Sequence, residues 1–159
     1  MDEIKIRKVR RKDLNKLSEV YSKVYGAFDV GERWTEETAY KMLKYWLKRD
    51  PDLAFLAEYK GLIIGGFVVG VKPWWDGNHL VEGEIFVDPD YQKKGIGTKL
   101  LKFVFDYAIK RYNVVRFDTV TVKGKYPVKW YKSVGFGEIK EWVMISADPK
   151  KVSRTLDKR

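Results

Sequence analysis

Between Leu80 and Arg111 the chain reads as strand, turn and helix in immediate succession, with two glycines at the joint. Leu80–Val87 is apolar and β-prone, and Pro89 ends it because proline cannot donate to a ladder. From about Lys93 to Arg111, Leu100, Leu101, Val104, Phe105 and Ala108 recur at helical spacing, with Lys99, Lys102, Asp106 and Lys110 opposite. A helix fed directly by a strand presents its first, unpaired N–H groups and the positive end of its dipole at the edge of the sheet. Gly95 and Gly97 remove Cβ atoms where a ligand could press against that backbone. Lys93, Lys94 and Thr98 add charge and a hydroxyl, so the turn suits a phosphate-bearing ligand. A plain helix start that happens to contain glycines is the alternative. Two better-known phosphate loops are excluded: Gly97-Thr98-Lys99 is not a Walker ending, and Leu100 stands where a dinucleotide fingerprint needs its third glycine.

The rest of the chain supplies the elements such a unit needs. Residues 4–10 alternate apolar and basic, as a half-buried strand does. Asp13 is placed to cap a helix with Leu14, Leu17, Tyr21, Val24 and Tyr25 on one face. Residues 26–34 read as a loop, and Thr35, Glu36 and Glu37 open a helix with Ala39, Leu43, Trp46 and Leu47 inward, ended by Asp50-Pro51. Leu53–Tyr59 and Leu62–Val71 predict a hairpin turning at Lys60-Gly61, and residues 73–78 break the chain before the strand at Leu80. Val114–Val122 predicts a strand, Pro127 opens a short helix to Val134, and Phe136–Ser146 predicts the last strand. The expectation is one mixed α/β domain over 1–146 and a charged, frayed tail over 147–159.

Composition removes whole classes of chemistry. The 159 residues contain no Cys, which excludes a disulfide, a thiolate metal site and a cysteine-linked intermediate. The one histidine, His79, argues against a multi-His metal site, and no metal is expected. No signal-like or membrane-spanning run is visible, so the expectation is a soluble, cytoplasmic protein without membrane partners. The net charge of +10 invites a nucleic-acid reading. Its lysines are spread along the whole chain, which equally suits a solvated surface.

The run Gln92-x-x-Gly95-x-Gly97, preceded by Val87-x-Pro89 and followed by Leu100-Leu101, resembles the acetyl-CoA-binding motif of the GNAT family of N-acetyltransferases. A second element, Tyr131-x-x-x-Gly135-Phe136, resembles the tyrosine motif near that family's C-terminus. The resemblance covers roughly residues 4–146. It implies a central, mostly antiparallel twisted sheet that splays at the cofactor site and is flanked by about four helices. It implies acetyl-CoA (coenzyme A) as cofactor, with main-chain groups of Ile85, Phe86 and Val87 pairing with the pantetheine arm. Gln92, Lys93, Lys94, Gly95, Ile96, Gly97 and Thr98 would surround the pyrophosphate.

An acetyl transfer needs a neutral amine, a stabilised oxyanion and a proton for the leaving thiolate. The resemblance makes Tyr131 the proton donor, and cofactor contact, for the thiolate; a purely structural tyrosine is the alternative, and Tyr126 is a competitor at the wrong spacing. Glu82 and Glu84 flank Gly83 and share one strand face, so either is a candidate base. The base matters most for a lysine acceptor, which at pH 7 is neutral about four times in ten thousand, against about one in ten for an α-amine. Phe28, Asp29, Glu32 and Trp34, together with Trp74, Trp75 and Asp76, could hold a cationic amine, or could simply pack a lid. Two positions depart from the family pattern: Gly124 stands where an asparagine is frequent. Thr119 stands where some N-terminal acetyltransferases have glutamate. The reading is an N-acetyltransferase moving acetyl to a primary amine in a ternary complex, with a homodimer left open. A non-catalytic CoA-binding sensor with a basic nucleic-acid-binding surface is the alternative.

Overall fold

The computed structural model describes residues 4–27 and 31–157 and divides into two compact units between Val122 and Lys123. The alternating N-terminal residues form β1 (Ile4–Lys8), and the two early amphipathic segments form α1 (Leu14–Gly26) and α2 (Glu36–Arg49). Thr35 caps α2, accepting from the Thr38 N–H while the Thr38 hydroxyl accepts from Thr35. Asp13 precedes α1 but does not cap it with its side chain. Its carboxylate instead accepts from the Arg10 N–H at 2.8 Å and from Arg7 at 2.7 and 3.0 Å, pinning β1 to the start of α1.

The strands β2 (Ala54–Tyr59) and β3 (Leu62–Trp74) meet in a hairpin with Lys60 at φ 49° and Gly61 at φ 79°. Two consecutive left-handed residues give the tight turn that matches strand twist. Next come β4 (Gly77–Val87), α3 (Ile96–Tyr112) and β5 (Val114–Asp118). The sheet has five strands in the order β1-β2-β3-β4-β5, antiparallel except for the β4–β5 pair, which α3 joins in parallel. On one face α1 and α2 bury Leu17, Tyr21, Leu43 and Trp46 against Leu56, Val68 and Phe86. On the other, α3 buries Leu100, Leu101, Val104 and Ala108, and the Phe117 ring bridges Phe67 and Phe105.

Several boundaries differ from the sequence expectation. The helix expected from Lys93 starts at Ile96, because Lys93 (φ 58°) and Gly95 (φ 76°) are left-handed and cannot belong to it. The break expected over 73–78 narrows to a turn at Trp75-Asp76, with β3 running to Trp74 and β4 starting at Gly77, and β5 ends at Asp118 rather than Val122.

The second unit contains α4 (Tyr126–Ser133) and α5 (Pro149–Leu156). Phe136–Ser146, expected as the last strand, is irregular. A strand needs a neighbour to bond, and among the described residues of this unit no other segment is extended and paired. Trp142, Val143, Met144 and Ile145 are consequently exposed. The tail expected to fray carries α5, whose start is fixed by the Asp148 carboxylate accepting from the Lys150 N–H at 2.9 Å. No helix among the described residues is long and apolar enough to cross a membrane.

Candidate active site

The first unit brings the end of β4 and the glycine turn into one continuous surface. After Val87, the Asp88 carboxylate accepts from the Asp90 N–H, and a single 3-10 turn, Pro89–Tyr91, reverses the chain. The Gln92 side-chain amide donates to the Val87 carbonyl at 2.9 Å, tying the turn back to the strand. Lys23 on α1 clamps Asp88 and Asp90, each at 2.7 Å, and the Lys94 ammonium donates to the Asp90 carbonyl. Two motif residues, Gln92 and Lys94, therefore shape the turn from within.

The helix start is built open. Gly95 occupies the N-cap position at φ 76°, so no side chain caps α3, and the first helical bond runs from the Lys99 N–H to the Gly95 carbonyl at 3.0 Å. The preceding N–H groups of such a helix have no intrahelical carbonyl to meet. A Cβ built on Gly95 would find nothing within 4 Å. The glycine thus serves the left-handed backbone, and the space at its Cβ position is open.

The strand is open on the same side. β4 pairs with β5 from Asn78 to Val81, and the register ends at Val81↔Asp118, while pairing with β3 continues to Val87↔Gly65. At the point of parting, Glu82 and Gly83 together oppose Val69, a β-bulge with Glu82 at φ 56°. A Cβ on Gly83 would lie 2.7 Å from the Phe117 ring and 2.8 Å from Phe67, so any larger residue there must displace those rings. Ile85, Phe86 and Val87 therefore run along β3 only, with their other edge not laddered to β5.

The bulge leaves both candidate carboxylates reaching toward α1 and α2. Glu82 is largely exposed and accepts from Arg49 of α2 at 3.1 Å. Glu84 is half-buried and accepts from the Tyr25 hydroxyl of α1 at 2.8 Å. Burial pushes the Glu84 carboxyl above its ordinary value, and the charge of Glu32 adds to this; the hydroxyls of Tyr25 and Tyr21 pull the other way. Burial, then the charge of Glu84, raises the Tyr21 phenol. Tyr21 stacks on Tyr25 with centroids 4.3 Å apart and meets Phe86 and Trp34 edge-on at 5.0 and 5.1 Å. The helical spacing places Tyr21 and Tyr25 on the core face of α1 but gives no signal of the contact between Tyr25 and Glu84, 59 residues apart.

Tyr131 belongs to the second unit. It lies on α4, 9% exposed, with its ring 4.9 Å from Trp130 and 4.8 Å from Phe136, whose N–H bonds the Tyr131 carbonyl. Tyr126 is exposed at the start of the same helix. Of the lid candidates, Phe28 and Asp29 lie outside the described residues. The Trp34 indole donates to Glu32 at 2.7 Å. Asp76 is engaged by buried His79, whose other ring nitrogen meets Asp118; these contacts lock the β3–β4 turn to β5. Trp75 is exposed, and Lys72 sits over the Trp74 ring at 4.0 Å. Among the described residues no group of three metal-ligating side chains converges. Lys8, Lys16, Lys23, Lys41, Arg49 and Lys102 each pair with a carboxylate, so acids interleave the basic surface.

The sheet opens beside a glycine-started helix, and residues 14–136 match the acetyltransferase (GNAT) family. The chain belongs to that family. It is 35% identical over 145 residues to an uncharacterized N-acetyltransferase of Methanocaldococcus jannaschii, covering 87% of this chain and 64% of that protein's length. A crystal structure of a Pyrococcus horikoshii protein matches with a TM-score of 0.69 and 29% identity, over 91% of this chain and 93% of the other. An aminoglycoside N-acetyltransferase in complex with CoA shares the fold at a TM-score of 0.72 and 17% identity, over 92% and 95%.

Proposed function

We propose that this chain is an acetyl-CoA-dependent N-acetyltransferase acting on a primary amine by direct attack in a ternary complex. The observation that carries the reading is the coincidence of two openings: β4 parts from β5 at Val81, and the uncapped start of α3 follows on the same strand's exit. Residues 93–98 would hold the diphosphate through main-chain N–H groups, with the space over Gly95 receiving it. Main-chain groups of Ile85, Phe86 and Val87 would bond the pantetheine arm as a further strand does. Bound acetyl-CoA supplies an acetyl thioester as the electrophile.

Glu84 is the favoured base. It is sheltered and its proton affinity is raised, which suits a group that must take a proton from an ammonium near neutral pH. Glu82, exposed and paired with Arg49, suits that work less well. Tyr131 is carried over from its motif as the group that holds a proton at its phenolic oxygen for the departing thiolate.

The test is acetyl transfer from acetyl-CoA to a panel of small amines, peptides with free N-termini and lysine peptides. Glu84→Gln is expected to lower kcat about 10²-fold or more, and Glu82→Gln by less than about threefold. Tyr131→Phe should slow turnover by about 10²-fold while leaving the Kd for CoA within about twofold. Unchanged turnover in Tyr131→Phe removes that residue from the mechanism, and absence of both CoA binding and transfer overturns the proposal.

A further inference from the structure

The contact between α1 and the strand base gives a second residue a part in the reaction. We propose that Tyr25 is a positioning residue for acetyl transfer, its hydroxyl fixing the Glu84 carboxylate in the orientation and charge state needed to accept the amine's proton. The inference rests on the reading of Glu84 as the base.

The geometry supports it from both ends. The Tyr25 hydroxyl donates to Glu84 Oε2 at 2.8 Å. A carboxylate with one oxygen held has its plane set and keeps its remaining lone pairs for another donor. The tyrosine ring is itself fixed, stacked on Tyr21, which is buried and packs edge-on against Phe86, two residues beyond Glu84 on the same strand. One aromatic pair on α1 thus braces β4 through both Glu84 and Phe86. Among the described residues, the groups facing the carboxylate are Tyr25 and Tyr21 from α1 and Glu32 from the segment before α2. Of these, the two hydroxyls favour its charged form, and burial and Glu32 oppose it. In the step itself an N–H bond of the ammonium breaks, the proton passes to Glu84, and the freed lone pair becomes the nucleophile.

Tyr25→Phe deletes one donor, leaves the Tyr21 hydroxyl and keeps the stack. Losing a hydrogen bond that favours the ionised form raises the proton affinity of Glu84, so the acid limb of kcat/KM against pH moves to higher pH. On that limb, activity falls on the order of tenfold. On the plateau above it, the expected loss is less than about threefold, and CoA affinity is unchanged. A tyrosine that merely packs would lower activity equally at every pH, or lower Tm, without moving the limb; that result overturns the proposal. Tyr25→Met, which also lacks a donor, is the second variant should the phenylalanine form fold poorly. Glu84→Gln separates the two readings. If it keeps full kcat/KM, Glu84 is not the base and both assignments fall. If it is inactive and Tyr25→Phe leaves the limb in place, the role of Tyr25 alone is lost.

Discussion

Glu84 carries a charge into a setting that disfavours it. Burial raises its carboxyl above the ordinary 4.5, so the folded state holds the proton more tightly than the unfolded chain. Folding stability therefore falls as pH rises from about 4.5 through the raised folded value, and it stays lower above it. Glu84→Gln keeps the shape and removes the charge. It should flatten this pH dependence and raise Tm at neutral pH, each kcal/mol gained showing as about 2–4 °C for a chain of this size. Melting curves of both forms between pH 4 and 8 check this, and a lower Tm in the variant contradicts it. Activity and stability then trade against each other at one residue. Gly95 makes a different demand. Alanine there meets no neighbouring atom but must adopt φ 76°, at a cost of about 1–2 kcal/mol, and its methyl enters the space assigned to the diphosphate. Gly95→Ala is expected to lower CoA affinity at least about tenfold by calorimetry; unchanged affinity would move the diphosphate elsewhere.

At the scale of elements, the long periodic segments were legible and the short or unpartnered ones were not. The stripes of α1, α2 and α3 and the Lys60-Gly61 hairpin follow from local spacing and turn chemistry, which the sequence carries directly. Phe136–Ser146 has strand-forming residues but no paired neighbour among the described residues of its unit, and a neighbour cannot be read from the segment itself. The start of α3 was misplaced by three residues because the backbone sign at Lys93 is invisible in a lysine. Within the candidate site, the glycine turn and the paired glutamates were readable, whereas the partners of those glutamates, Tyr25 and Arg49, depend on how helices cross the sheet. Asp13, which the sequence places to cap α1, is instead a pin. Arg7 and the Arg10 N–H hold it charged, so its contribution is complete above 3.8 and is lost as pH falls below that value toward the lowered folded one. Asp13→Asn should cost about 1.5–3 kcal/mol by denaturant unfolding at pH 7 and much less near pH 2. An equal loss at both pH values would refute the pin.

For the whole molecule, the divergence of β4 from β5 matters more than any single contact. At one place a strand edge is not laddered to β5 and a helix start carries no side-chain cap, an arrangement that bonds from a ligand would stabilise. On the proposed function, acetyl-CoA supplies them. Hydrogen exchange at residues 82–98 should slow on adding CoA, while β1 and β2 change little; uniform protection across the sheet would not fit this account.

An uncapped helix start has one further consequence. A ligand that binds only the folded chain stabilises it by RT ln(1 + [L]/Kd), about 2.7 kcal/mol at a hundredfold excess over Kd. On the proposed function the bound cofactor adds bonds to the fold, so resistance to proteolysis should rise with the supply of acetyl-CoA. The abundance of the protein would then report on acetyl-CoA even where no acceptor amine is present.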